Sequence, residues 1–205
     1  MLLYRVIPWI PGARAGEPGH PLYVDAARQG AGRYDNPQHY RALYVAETAA
    51  GAVGERFGND PIWTAPMLVV RIVEGAVSAL ATFEADPAPR VLDLDDASVL
   101  VELGLKPSEV AARNRARTQT LARSLWAARH GSLEGLRWWS YWHPQWHNQT
   151  LWAEPEADQA PWAGRLAIEN LEELSLDHPA LEQAAEILRR PLAPSGIDLP
   201  GQGGE

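Results

Sequence analysis

The stretch Leu43-Tyr44-Val45-Ala46-Glu47-Thr48 runs directly into Ala49-Ala50-Gly51-Ala52-Val53-Gly54-Glu55-Arg56-Phe57. Its first residues are rich in β-formers and predict a short strand over 43–46. Thr48 can cap the start of a helix. That helix should run to about Phe57, because Gly58-Asn59-Asp60-Pro61 supplies strong stop signals. The stretch therefore predicts a compact strand–helix unit.

Two glycines within this helix indicate that another group approaches it closely. Gly51 and Gly54 each cost about 1 kcal/mol relative to alanine in a helix interior. Glu55 shares a face with Thr48, Gly51 and Ala52, opposite the apolar residues Ala49, Val53 and Phe57. Glu55 is then either a carboxylate lining a groove or a solvated glutamate on an outer face.

The rest of the chain alternates between strand and helix patterns, which predicts a mixed α+β fold. Strands are expected over 2–7, 67–73, 77–83, 90–94, 136–142 and 150–153, with 67–73 and 77–83 forming a hairpin around Glu74-Gly75. Helices are expected over 96–103, over 107–130 with a break near Asn114 and Gly131 as the C-terminal cap, and over 179–190. Residues 1–190 should form one domain, and 191–205 a disordered tail. The Pro/Gly-rich segment 8–32 is long for a structureless loop, which is typical of a functional loop.

Composition excludes several classes of function. The 205 residues carry a net charge of −8, which argues against a nucleic-acid partner. The chain has no cysteine, so disulfides, thiolate nucleophiles and thiolate metal sites are excluded. No apolar run approaches the roughly 20 residues that cross a bilayer. Residues 1–10, interrupted by Arg5 and Pro8, lack the features of a signal peptide. We therefore expect a cytoplasmic protein.

Most common catalytic motifs are missing from the sequence. There is no P-loop, no G-x-S-x-G elbow and no H-E-x-x-H motif. His143 and His147 are four residues apart, but no third ligand with matching spacing accompanies them, so we expect two loop histidines and no metal site.

Two further segments carry candidate site residues. In Gly32-Arg33-Tyr34-Asp35-Asn36-Pro37, Arg33 is either a surface arginine in a turn or a guanidinium that grips a pyrophosphate. In the strand that follows Gly135, the side chains of Trp138, Ser140 and Trp142 should share one side. That side is either core packing or a ring-lined pocket whose floor offers a hydroxyl.

Taken together, these segments resemble the RES domain family, known for the toxins of RES–Xre toxin–antitoxin pairs. Gly32-Arg33-Tyr34 is similar to the family's Gly-Arg-aromatic element, and 43–47 is similar to its Leu-Tyr-x-Ala-Glu strand. Glu55 matches its helical glutamate, Thr118-Gln119 its Thr-Gln pair, and the segment from Gly135 to Ser140 the strand that supplies its serine. The resemblance runs from about Tyr4 to Trp152.

The resemblance implies a compact α+β fold similar to ADP-ribosyltransferases, with small mixed or antiparallel sheets flanked by helices. It also implies cleavage of NAD by phosphorolysis or hydrolysis, with inorganic phosphate as a possible second substrate, no cofactor, and an antitoxin protein as partner. The catalytic residues would be Arg33, which would hold a phosphate group, Tyr44, which would contact the nicotinamide ribose, Glu55, and Ser140, which would orient the nicotinamide. Departure of nicotinamide leaves an oxocarbenium-like ribose, so an anion such as Glu55 suits the reaction.

Other residues complete this expectation. The substrate-binding set includes Arg33, Tyr34, Tyr44, Gln119 and Asn148, and an additional cation near the ribose would be Arg41 or Arg56. Two alternatives remain: ADP-ribosyl transfer to a macromolecule, and a non-enzymatic binding module in which the tryptophans between Trp138 and Trp152 form an aromatic platform.

Overall fold

A computed structural model describes residues 1–110, 114–155 and 160–193. Its main feature is a seven-stranded sheet in the order β5-β6-β7-β2-β1-β4-β8, in which neighbours are antiparallel except for the parallel pair β5 and β6. A separate parallel pair joins β3 to β9. The strands are β1 (Leu2–Trp9), β2 (Arg41–Ala46), β3 (Trp63–Thr64), β4 (Val77–Ala85), β5 (Val91–Asp93), β6 (Gly135–Trp139), β7 (His147–Ala153), β8 (Leu166–Glu173) and β9 (Leu192–Ala193).

The five described α-helices are α1 (Ala49–Phe57), α2 (Ala97–Leu103), α3 (Pro107–Val110), α4 (Arg115–Arg129) and α5 (Pro179–Leu188). The Thr48 hydroxyl accepts the Gly51 N–H and so caps α1, as the sequence predicts. The Asn114 side chain accepts the Arg117 N–H and caps α4, which confirms the predicted break. Two 3-10 helices, Ala26–Arg28 and Ala65–Leu68, lie in the connections.

The sheet is split between the neighbouring strands β2 and β1. β1 pairs with β4 at every position from Leu2 to Trp9 and β2 pairs with β7 from Arg41 to Ala46, but the register between β1 and β2 holds a single pair, Tyr4 with Ala46. The two halves therefore meet at one point and diverge from it. A side chain beside this point can face the gap between the strands instead of a neighbouring strand.

Helices cover the two halves of the sheet separately. α1 and α5 pack on β1 and β4 through Val53, Phe57, Leu80 and Leu181. On the other half, α4 packs through Ala122 and Leu125 on a cluster that contains Leu136. These three helices are thereby fixed relative to the split, and α1 places Glu55 beside it.

Several predicted elements differ in the structure. The strand and hairpin predicted for 67–73 are wrong: this run holds the end of a 3-10 helix and an irregular segment in which Ile72 is 61% exposed. The free edge of β4 is instead paired by β8, which the sequence analysis missed. The strand predicted for 136–142 ends at Trp139. α4 ends at Arg129, and its C-terminal cap is His130 in right-handed conformation, in place of the predicted Gly131.

The tail predicted for 191–205 begins too early. Leu192 and Ala193 pair with Trp63 and Thr64, so they belong to the folded part of the chain. The remainder of that prediction, 194–205, lies outside the described residues.

Candidate active site

A cavity of about 590 Å³ lies at the split in the sheet, and we call it the main cavity. β1 and β2 supply part of its wall, α1 another part, and the chain after β6 a third. Its lining residues are Tyr4, Arg5, Val6, Gly32, Arg33, Tyr44, Val45, Ala46, Ala52, Glu55, Arg56, Asn59, Arg115, Trp138, Tyr141, Trp142 and Asn148. The volume lies within the range of about 300–1,000 Å³ that is usual for small-molecule sites.

The carboxylate of Glu55 is held in a fixed orientation within the main cavity. Its Oε1 accepts hydrogen bonds from Ser140 Oγ at 2.5 Å and from Asn148 Nδ2 at 2.8 Å. No side chain or backbone group among the described residues donates to Oε2. One carboxylate oxygen is therefore anchored to two separate segments of the chain, and the other is available to a ligand.

Ser140 lies behind this carboxylate and does not line the cavity. It is 2% exposed; its hydroxyl oxygen accepts a hydrogen bond from the Trp142 N–H at 3.0 Å, and the hydroxyl donates a hydrogen bond to Glu55. The hydroxyl is therefore already engaged both as donor and as acceptor. Ser140 therefore positions Glu55, which differs from the direct contact with nicotinamide implied by the family resemblance.

The loop that carries Arg33 is organised by a buried carboxylate. Asp35, 6% exposed, accepts the N–H groups of Gly30 at 2.8 Å and Gly32 at 2.7 Å and the hydroxyl of Tyr44 at 2.8 Å. The same Tyr44 oxygen accepts the Tyr34 N–H at 2.9 Å. Burial, and then the negative charge of Asp35, raise the pKa of Tyr44 well above its ordinary value. Tyr44 therefore stays protonated and reaches the cavity with its ring, while its hydroxyl holds the loop.

The Thr118-Gln119 pair fixes this loop from α4. Thr118 donates to the Arg33 carbonyl at 2.6 Å, and Gln119 Nε2 donates to the carbonyls of Gly30 and Gly32 at 2.9 Å each. Gln119 does not line the cavity, so its contribution to binding is indirect. The side chain of Arg33 donates through Nη1 to the Val110 carbonyl at 2.6 Å.

Tyr34 is fully buried and also does not line the cavity. Its ring packs edge-on against Trp138, with centroids 4.7 Å apart, and burial raises the pKa of Tyr34 to about 12. Of the residues that the sequence analysis selected, the structure brings together Arg33, Tyr44, Glu55 and Asn148 at the main cavity. Ser140, Gln119 and Tyr34 support them from behind.

Arg5 is a residue of this cavity that the sequence analysis missed. Its Nη1 donates to the carbonyls of Pro21 at 3.0 Å and Tyr23 at 3.3 Å, and burial lowers the pKa of Arg5 to about 10, so it remains charged near neutral pH. Its position in the sequence is itself a signal, because burying an arginine within an apolar strand costs free energy unless the charge is paired or hydrogen-bonded.

The main cavity is cationic although the protein is acidic. Arg5, Arg33, Arg56 and Arg115 all line it, and no carboxylate within the described part of the chain lies at ion-pair distance from any of the four. Arg41, the other candidate for an additional cation, does not line the cavity and donates to the Pro155 carbonyl. Unpaired guanidinium groups around one oriented carboxylate favour a ligand that carries phosphate groups.

The two glycines of α1 are explained by different neighbours. A Cβ atom at Gly54 would overlap the ring of Trp146, whereas one at Gly51 would lie 2.7 Å from Thr48 Oγ1, the oxygen that caps the helix. Trp146 and Trp152 are 4% and 2% exposed, so this segment does not form the aromatic platform considered above. Trp138, Tyr141 and Trp142 face the main cavity instead.

Behind the cavity, a charged network ties β2 to β5 and β6. Glu47 accepts from Arg137 at 2.7 and 3.1 Å and from Gln149 at 2.8 Å, and Arg137 also donates to Asp93 at 2.7 Å. Burial opposes ionisation of Glu47, but these hydrogen bonds outweigh it and lower the pKa of Glu47. Glu47 immediately precedes the cap of α1, so the network fixes the start of the helix that carries Glu55.

The two histidines considered as ligands lie in different surroundings. The His143 ring packs against Trp146, and His147 Nε2 lies 2.9 Å from Asp95. Over 1–110, 114–155 and 160–193, no three His, Cys, Asp or Glu side chains are grouped so as to hold a metal ion.

Fold and site together define an α+β protein whose split sheet holds an arginine-lined cavity around one oriented carboxylate. The family model of the RES domain matches residues 3–176, and the chain belongs to the RES domain family. The resemblance recognised in the sequence is thereby confirmed, as is the α+β fold class.

A solved structure has the same fold. A chain in the crystal structure of the M. tuberculosis MbcT–MbcA toxin–antitoxin complex superposes with a TM-score of 0.59 and 17% sequence identity, over 92% of this chain and 88% of that chain. A comparison with curated proteins gave no match. None of the helices in the described residues is long and apolar enough to cross a membrane.

Proposed function

We propose that this protein cleaves the nicotinamide–ribose bond of NAD and acts as the toxin of a toxin–antitoxin pair in the cytoplasm. The observation that carries the proposal is the main cavity itself: one carboxylate held by two donors, among four arginines that have no carboxylate partner in the described part of the chain. NAD offers the matching groups, a pyrophosphate for the arginines and a ribose that becomes positively charged as nicotinamide departs.

The reaction needs little covalent chemistry from the protein. The bond between C1 of the ribose and the nicotinamide nitrogen breaks, and its electron pair leaves with neutral nicotinamide. Glu55 stabilises the oxocarbenium-like ribose by its charge and by accepting a hydrogen bond from a ribose hydroxyl. Phosphate or water then adds at C1 of the ribose, and when water adds, its proton is released to solvent.

The remaining residues bind and orient. Arg5 and Arg33 hold the pyrophosphate, and Arg56 or Arg115 provides a cation for an incoming phosphate ion. Tyr44 contacts the nicotinamide ribose through its ring and not through its hydroxyl, because the hydroxyl is already hydrogen-bonded to Asp35 and to the Tyr34 N–H. Ser140 and Asn148 keep the carboxylate of Glu55 directed at the sugar, and no cofactor takes part.

The toxin role is supported by family membership and by the structural neighbour, which comes from a toxin–antitoxin complex. The partner would be a protein antitoxin that blocks the cavity. This role predicts that expression of the wild-type chain arrests growth and lowers cellular NAD, whereas Glu55→Ala does neither. Growth arrest with NAD unchanged would contradict the proposed chemistry.

The acceptor is identified from the mass of the product. Purified protein is incubated with NAD with and without inorganic phosphate. ADP-ribose as product means hydrolysis, and its phosphorylated form means phosphorolysis. Label from NAD found on a protein or nucleic acid would instead mean ADP-ribosyl transfer.

A further inference from the structure

A second cavity of about 530 Å³ borders the main cavity. Three residues, Arg5, Gly32 and Tyr44, line both, and we call them the neck. Glu55 lines only the main cavity. A ligand that reacts beside Glu55 and is longer than the main cavity would therefore pass the neck and enter the second cavity.

The wall of the second cavity is largely apolar. Ile7, Tyr23, Val24, Ile72 and Val73 contribute to it, and Ile72 is 61% exposed. The Arg28 guanidinium, paired with Asp25 at 3.2 Å, donates to the Ile72 carbonyl at 3.3 Å. This contact holds the apolar segment against the cavity. An exposed isoleucine held in this way offers a flat apolar surface for a ring system.

The second cavity also offers a polar group of defined orientation. The His20 ring accepts the Leu22 N–H at Nδ1, at 3.2 Å, so the ring's proton lies on Nε2. Burial, opposed by Glu17, lowers the pKa of His20, so the ring is neutral near pH 7. A neutral imidazole N–H among apolar side chains suits a purine base or its ribose better than a second phosphate group.

We propose that the second cavity binds the adenosine half of NAD, with the pyrophosphate at the neck beside Arg5. This inference rests on the proposed function. Its basis is geometric: NAD consists of two nucleosides linked by a pyrophosphate, and the structure has two neighbouring cavities that share the half-buried guanidinium of Arg5, which has no carboxylate partner among the described residues. The segment around Ile72 then determines affinity for the adenosine half.

The test truncates one apolar contact and compares ligands that carry different halves of NAD. The variant is Ile72→Ala, and the matched control is Val69→Ala, which lies in the same segment, is 60% exposed and does not line either cavity. Nicotinamide release from NAD gives KM. AMP and nicotinamide mononucleotide, used as competitive inhibitors, probe the two halves separately.

We expect Ile72→Ala to raise the KM for NAD and the inhibition constant of AMP by about tenfold, the effect of losing a small apolar contact. The inhibition constant of nicotinamide mononucleotide and the kcat should be unchanged, and Val69→Ala should behave as wild type. Equal effects on AMP and nicotinamide mononucleotide, or no effect on either, would overturn the inference. Failure of wild-type protein to consume NAD would overturn the proposed function instead, so the two failures are distinguishable.

Discussion

Replacing Ser140 with alanine should damage catalysis through Glu55. The substitution removes a 2.5 Å hydrogen bond to the carboxylate and leaves the Trp142 N–H without its acceptor. A hydrogen bond to a charged group contributes about 1.5–3 kcal/mol. If that energy is needed to hold Glu55 in the transition state, kcat falls by about 10- to 100-fold, since about 1.4 kcal/mol corresponds to a factor of ten. The KM for NAD should change little, because Ser140 does not line the cavity.

A double-mutant cycle tests the reasoning. kcat and KM are measured from nicotinamide release for Ser140→Ala, Glu55→Ala and the double variant, with Ser78→Ala, a buried serine of β4 outside the main cavity, as control. Because Ser140 acts through Glu55, the double variant should be no slower than Glu55→Ala. Additive losses would refute this, since Ser140 would then contribute independently of the carboxylate.

Three further predictions follow from the same geometry. Arg5→Met should raise the KM for NAD by about 10- to 100-fold, because it removes a charged donor worth about 1.5–3 kcal/mol; an unchanged KM would exclude Arg5 from binding. Glu47→Gln should lower the free energy of unfolding at pH 7, and this loss should shrink as the pH falls. The pKa of Glu47 is lowered in the folded protein, so its ionised form stabilises the wild type at pH values above the ordinary pKa of 4.5, and this stability is lost as the pH falls through the folded pKa; a loss that stays constant as the pH falls would contradict this. Gly54→Ala should cost about 1–3 kcal/mol by overlap with Trp146, measured by chemical unfolding. Gly131→Ala, where no atom lies within 4 Å of the added Cβ, should not be destabilised.

Local signals predicted the elements that carry the site. The strand–helix unit around Thr48 is confirmed because a threonine cap and a following stop signal act within a few residues. The break near Asn114 is confirmed for the same reason. The strand predicted over 67–73 is wrong because a run of apolar β-formers does not reveal whether a neighbouring strand has a free edge to pair with. That partner position belongs to β8, about ninety residues later in the chain, whose exposed glutamates give little strand signal.

The residues of the site were only partly predictable. Motif spacing selected Glu55, Ser140 and Arg33, but it did not reveal that Ser140 lies behind the carboxylate. That arrangement depends on the turn after Trp139, where the predicted strand ends early. An arginine within an apolar strand marks Arg5 as unusual, but the sequence does not reveal which cavity it lines, because that depends on the split between β1 and β2.

The most direct test of the central claim is the stoichiometry of nicotinamide release. Wild-type protein and Glu55→Ala, both verified as folded by circular dichroism, are incubated with NAD, and nicotinamide and remaining NAD are quantified by chromatography. The account predicts one nicotinamide formed per NAD lost with the wild type, and a rate lower by orders of magnitude with Glu55→Ala. NAD that stays intact with an excess of wild-type protein and phosphate, or equal release by both proteins, would contradict it.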